Sequence, residues 1–181
     1  MSMKKIIIPI LIVFTLLLLV SCGNKDEVAN EIVHYYNEEW VPINDMKEKE
    51  MRDPLAEVAR LESENKEDEA AALVKDKVLP IVDEVLGRLE AVDTDNRKVK
   101  KMNDMQIKAE EFARNMSKSI ITYYEGGNVS EQDIEEYDEE LQEKYQDVLD
   151  YRDKLMDKYN LEQTENEDED SKFYKLKRAE D

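Results

Sequence analysis

Apolar residues recur every three or four positions over four long stretches of this chain, and almost nowhere do they alternate. That spacing puts them on one face of a helix, whereas strands need alternation at every second residue. The first stripe holds Val28, Ile32, Tyr36, Trp40, Ile43, Met46, Leu55, Val58 and Leu61. The second holds Leu73, Val74, Val78, Ile81, Val82, Val85, Leu86 and Leu89, and is the widest. The third runs Val99, Met102, Met105 or Gln106, Ala109, Phe112, Ala113, Met116, Ile120 and Tyr123. The fourth runs Ile134, Tyr137, Leu141, Tyr145, Val148, Tyr151 or Arg152, Leu155 and Tyr159. Four helices with short connections predict an all-α fold, an antiparallel up-down-up-down bundle over residues 27–161 with no sheet. The second helix, with the widest apolar face, is expected to be the most buried.

Boundaries follow from local chemistry. Asp26 is a plausible N-cap for the first helix, which is expected to end near Glu64. Pro42 and Pro54 lie inside it, and each removes a backbone donor and clashes with the preceding turn. They predict one kink or a break. The second helix is expected from about Glu67 to Ala91, bent at Pro80 and packed closely at Gly87. Asp93 or Thr94 is expected to cap the third, and Gly126-Gly127 to end it near Glu125. Ser130-Glu131-Gln132-Asp133 has the spacing of a capping box and opens the fourth, which runs to about Tyr159. From Glu162 to Asp170 the residues are almost all polar and mostly acidic. Residues 162–181 are therefore expected to be a disordered tail, acidic and then basic.

The N-terminus has a different character. Lys4 and Lys5 precede fifteen residues, Ile6 to Val20, that are apolar except for Pro9 and Thr15. Fifteen is short of the roughly 20 residues that span a bilayer as a helix. A core helix apolar on all faces does not suit so polar a chain. The length fits a secretory signal, and Leu19-Val20-Ser21-Cys22 adds a cysteine, the single one in the chain. This segment resembles a lipobox. The resemblance implies a signal peptide over residues 1–21, cleavage between Ser21 and Cys22, and lipidation of Cys22. The mature chain then starts with a short tether over residues 22–26. The lipid would be a covalent diacylglyceryl group, with or without an N-acyl chain, and no other cofactor is expected. Two acyl chains anchor a protein stably where one does not. With Cys22 lipidated, no disulfide is available.

Charge limits the partners. The chain has 26 Lys and Arg against 45 Asp and Glu, a net charge of −19. Without Lys4 and Lys5 the mature part carries −21. Such a surface repels nucleic acid and anionic headgroups. The end of the tail reverses sign. Lys172, Lys175, Lys177 and Arg178, with Phe173, Tyr174 and Leu176 among them, offer a membrane-contact segment, because a bundle of this topology brings the tail back to the pole where the first helix begins. The alternative is that these bases pair with the acids of Glu165 to Asp170.

Catalytic signatures are missing. His34 is the single histidine, which with a lipidated cysteine leaves no His/Cys zinc set. No Gly-x-Ser-x-Gly and no phosphate-cradling glycine loop occurs. Asp93-x-Asp95 lacks the glycine and closing glutamate of a calcium loop. No carboxylate is expected within an apolar stripe. The chain lacks the length and strand pattern of two-lobed solute-binding lipoproteins.

A lipobox followed by an acidic helical body, with Tyr35-Tyr36-Asn37-Glu38-Glu39-Trp40-Val41-Pro42 and Lys158-Tyr159-Asn160-Leu161 as landmarks, resembles the YkyA-like cell-wall-binding lipoproteins of Gram-positive bacteria. The resemblance implies a non-enzymatic helical module on the outer face of the cytoplasmic membrane. It would bind a wall component or an envelope protein. A lipid-anchored solute or cation binder using the acidic surface is the alternative.

Overall fold

The computed structural model describes residues 25–166, 168 and 170–179. The lipobox residues Ser21 and Cys22 lie outside them. Four helices make up most of the described chain. Helix α1 is α-helical over Lys25–Tyr35 and Val41–Ser63, with a π-helical turn over Tyr36–Trp40 between. Helix α2 is built the same way: Glu67–Leu73, a π-turn over Val74–Val78, then Leu79–Glu90. Helices α3 (Arg97–Tyr124) and α4 (Glu131–Tyr159) are regular. Consecutive helices pack on one another, and their short connectors make neighbours antiparallel. None of these helices is long and apolar enough to cross a membrane.

The two π-turns explain why the prolines do not break the helices. Pro42 and Pro80 each sit two residues past a π-turn. In a regular α-helix the proline ring collides with the carbonyl four residues back. A π-turn adds one residue to the loop, and the ladder restarts through i→i−5 bonds, Val41 N–H to Tyr36 O and Leu79 N–H to Val74 O. The expected break at Pro42 is thus absorbed as a bulge. Pro54 stays within the α-helical run.

Chain ends follow the expected chemistry with one correction. Gly126 takes φ +72°, and Gly127 N–H reaches Thr122 O at 2.8 Å to close α3. Ser130 caps α4 reciprocally: Ser130 Oγ accepts from Asp133 N–H, and Ser130 N–H donates to Asp133 Oδ2. The cap of α3 is Asn96, not Asp93 or Thr94. Asn96 Oδ1 accepts from Lys98 N–H at 2.8 Å, while Thr94 Oγ1 accepts from Asn96 N–H and shapes the approach.

Helix α2 buries Val74, Val78, Val82, Val85, Leu86 and Leu89 of its predicted stripe, leaves Leu73 and Ile81 half-buried, and adds Ala70 and Ala71. Gly87 is exposed and a Cβ there would meet nothing within 4 Å, so it mediates no close packing. At the other pole Ile32, Tyr35, Tyr36, Trp40, Val99, Met102, Val148 and Leu155 form a second core.

The tail departs from expectation. Leu161–Thr164 (β1) and Lys175–Arg178 (β2) pair as an antiparallel hairpin, so there is a small sheet and these residues are not disordered. Asn160, left-handed at φ 55°, turns the chain out of α4. Leu161 and Leu176 then enter the core. Asn37 supplies what a third strand would: its Nδ2 donates to Leu176 O and its Oδ1 accepts from Leu176 N–H, both at 2.8 Å. The acidic stretch is the hairpin's loop, shaped by side chains of Asn166 and Asp168 that accept from backbone N–H groups two residues on. The acid-rich composition hid three anchors, Phe173, Tyr174 and Leu176, whose burial offsets the ordering entropy of the loop.

Candidate functional site

Helix α4 meets α1 along the Lys25–Tyr35 segment, whereas the backbones of α4 and of Val41–Ser63 diverge. A groove of about 1100 Å³ fills the gap. Met51, Leu55, Ile120 and Leu141 line it, with Val82 and Ala113 at its floor. Leu55 had been expected in the core, but it is 51% exposed. The reason is the splay: the α4 partner that would cover it lies across the groove. Met51 and Met116 give the lining adaptable thioether surface.

The closed end of the groove is polar. Helix α3 buries Asn103, Gln106, Glu110 and, two turns on, Ser117, a polar track that runs beside Val99, Met102, Ala109 and Ala113. Glu110 is 0% exposed. That corrects the expectation that no carboxylate lies in an apolar stripe. Lys47 on α1 donates to both Glu110 oxygens at 2.8 Å and also to Tyr145 Oη. Tyr145 donates to Glu110 Oε1 at 3.1 Å and Gln106 Nε2 to the same oxygen at 2.9 Å. Trp40 Nε1–H donates to Gln106 Oε1 at 3.2 Å. Every N–H of the ammonium is therefore used. Burial, then the adjacent Glu110 charge and hydrogen bond, push the Tyr145 phenol far above its ordinary value, so it remains a protonated donor. Further along, Tyr35 donates to Asn103 Oδ1 at 3.0 Å, and burial likewise pushes its phenol up.

This network joins Lys47, Glu110 and Tyr145 from three helices. It is a clasp between α1, α3 and α4. Of these residues the α3 stripe offered Gln106, as the alternative to Met105, and Gln106 is the one buried; the others look like surface when read alone. The legible signal was the spacing 103, 106, 110, three residues on one helical track, together with Lys47 one turn beyond Ile43.

An aromatic cluster adjoins the clasp. Tyr36 stacks on Trp40 with centroids 4.8 Å apart, Phe173 meets Trp40 edge-on at 5.3 Å, and Arg152 lies 5.2 Å above the Tyr174 ring. The hairpin thus covers the π-turn of α1. The candidate membrane-contact residues are placed accordingly. Leu176 is 1% exposed and Phe173 half-buried, so neither is presented outward. Lys172 pairs with Glu48, Lys177 with Glu162 and Arg178 with Asp26. None of these acids lies in Glu165 to Asp170. Lys175 stays half-buried opposite Thr164. The Arg178–Asp26 pair does bring the tail to the pole where α1 begins.

His34 is exposed on a second cleft, shared with Glu27, Glu31, Asp93 and Asp95. Among the described residues no group of three or more His, Cys, Asp or Glu side chains is arranged to hold a metal ion. No family model matches the chain, and no curated protein or solved structure is significantly similar to it.

Proposed function

We propose that this chain is a lipid-tethered binding module on the outer face of a bacterial cytoplasmic membrane, acting through the groove between α1 and α4. The observation that carries the reading is the groove itself: an apolar channel held open in a protein that otherwise buries its apolar stripes. Channels of this kind mark interaction sites. The clasp ties the two walls together at one end at fixed geometry and spends its polar groups internally, which suits recognition by contact better than chemistry. The tether is supported by Leu19-Val20-Ser21-Cys22 and the apolar run before it. The YkyA-like resemblance adds an envelope setting, with a wall component or envelope protein as partner.

The tether has a direct test. Cys22→Ala is expected to abolish incorporation of labelled fatty acid and to leave unprocessed precursor or released protein. Labelling of the Cys22→Ala chain at the wild-type level contradicts the reading.

A further inference from the structure

We propose that the occupant of the groove is a basic amphipathic helix that seats about three of its turns there, contributed by a partner protein. The inference rests on the groove being the binding face, and adds what fills it.

The walls set the length. Beyond the Lys47–Tyr145 bridge, the α1 wall runs from Met51 to Glu62 and the α4 wall from Glu131 to Leu141. At about 1.5 Å per residue each is roughly 15–17 Å long. Two ridges of that length with an apolar floor are what an amphipathic helix uses when it lays its apolar face into a groove.

The rim sets the charge. Glu131, Glu135, Asp138 and Glu139 follow one another along the groove edge of α4, and all four are exposed. No ion pair within the described residues neutralises them. Glu62 stands on the α1 edge, beside Glu48, which is already paired with Lys172. Against Glu62 and the four α4 acids the lining has one base, Lys47, which is committed to Glu110. A helix seated here must bring its own cations at the flanks of its apolar stripe. A second copy of this chain, at net −19, would set acid against acid. An anionic lipid headgroup would meet the same repulsion.

The test uses the lipidated full chain in phosphatidylcholine nanodiscs, with empty nanodiscs as reference. Three fluorescent helical peptides of about 18 residues share one leucine stripe and carry Lys, Gln or Glu on the other face. Binding is read by anisotropy. The Lys peptide is expected to bind at least about tenfold tighter than the Gln peptide, and the Glu peptide not at all. Raising salt from about 0.05 to about 0.3 M should weaken the Lys peptide and spare the Gln peptide. Glu135→Lys/Glu139→Lys should lower Lys-peptide affinity about tenfold or more and leave the Gln peptide unchanged. Leu55→Lys should weaken both. These sites are exposed, so melting temperatures should stay within a few degrees of wild type; the salt series needs no variant at all. Equal affinity of Lys and Gln peptides, both lost in Leu55→Lys, overturns the basic partner while the groove stands. Affinities that Leu55→Lys leaves untouched overturn the groove and the inference together.

Discussion

Val82→Asp is expected to unfold the bundle. Val82 is 1% exposed and packs with Leu86, Ala113, Ile107 and Leu141. A carboxylate there has no cation to pair with. Its burial costs several kcal/mol, a large part of the roughly 5–15 kcal/mol that holds a domain folded. Thermal melting followed by far-UV circular dichroism should show the transition lowered by more than about 10 °C or lost, since about 1 kcal/mol moves a domain of this size by about 2–4 °C. A melt within a degree or two of wild type would mean that α2 does not face the core.

The second large effect is at the clasp. Lys47→Met leaves the Glu110 carboxyl fully enclosed and without its cation. Removing one partner of a buried pair typically costs about 3–5 kcal/mol. The Lys47 side chain is 19% exposed, which puts the expected loss near the lower end. Lys47→Met/Glu110→Gln should recover most of it: the charge is gone, and the amide oxygen still accepts from Tyr145 and Gln106. Urea denaturation of the four species gives the coupling energy. Losses that add, with the double variant weaker than either single, would show that the two residues do not act as a pair.

Much of the fold was legible because burial in helices leaves a regular trace. The α2 stripe, the Gly126-Gly127 stop and the Ser130–Asp133 box each have one dominant physical cause acting within a few residues. The misses share a different origin. Asn37 and Leu176 order the tail through a contact between residues more than a hundred positions apart, and no local pattern encodes it. The π-turns at Tyr36–Trp40 and Val74–Val78 were readable only as proline trouble, not as its remedy. Glu110 was hidden because a carboxylate is buried or exposed according to whether a lysine 63 residues away arrives.

The candidate site was the least legible part. Leu55 belongs to the α1 stripe as surely as Val58 or Leu61, and periodicity alone assigns all three to the core. What separates them is the divergence of two helix axes, a property of the whole bundle. The acids Glu131, Glu135 and Glu139 read as an ordinary solvated face until the groove beside them is known.

The central claim is that the groove is the face through which this protein binds, and site-directed photocrosslinking in intact cells tests it. A photoreactive residue at position 55 lies in the groove; one at Asn115 is exposed on α3 outside it. The account predicts a discrete adduct from position 55, diminished by Glu135→Lys/Glu139→Lys, and none from position 115. Adducts of equal yield from both positions, or from position 115 alone, would contradict it.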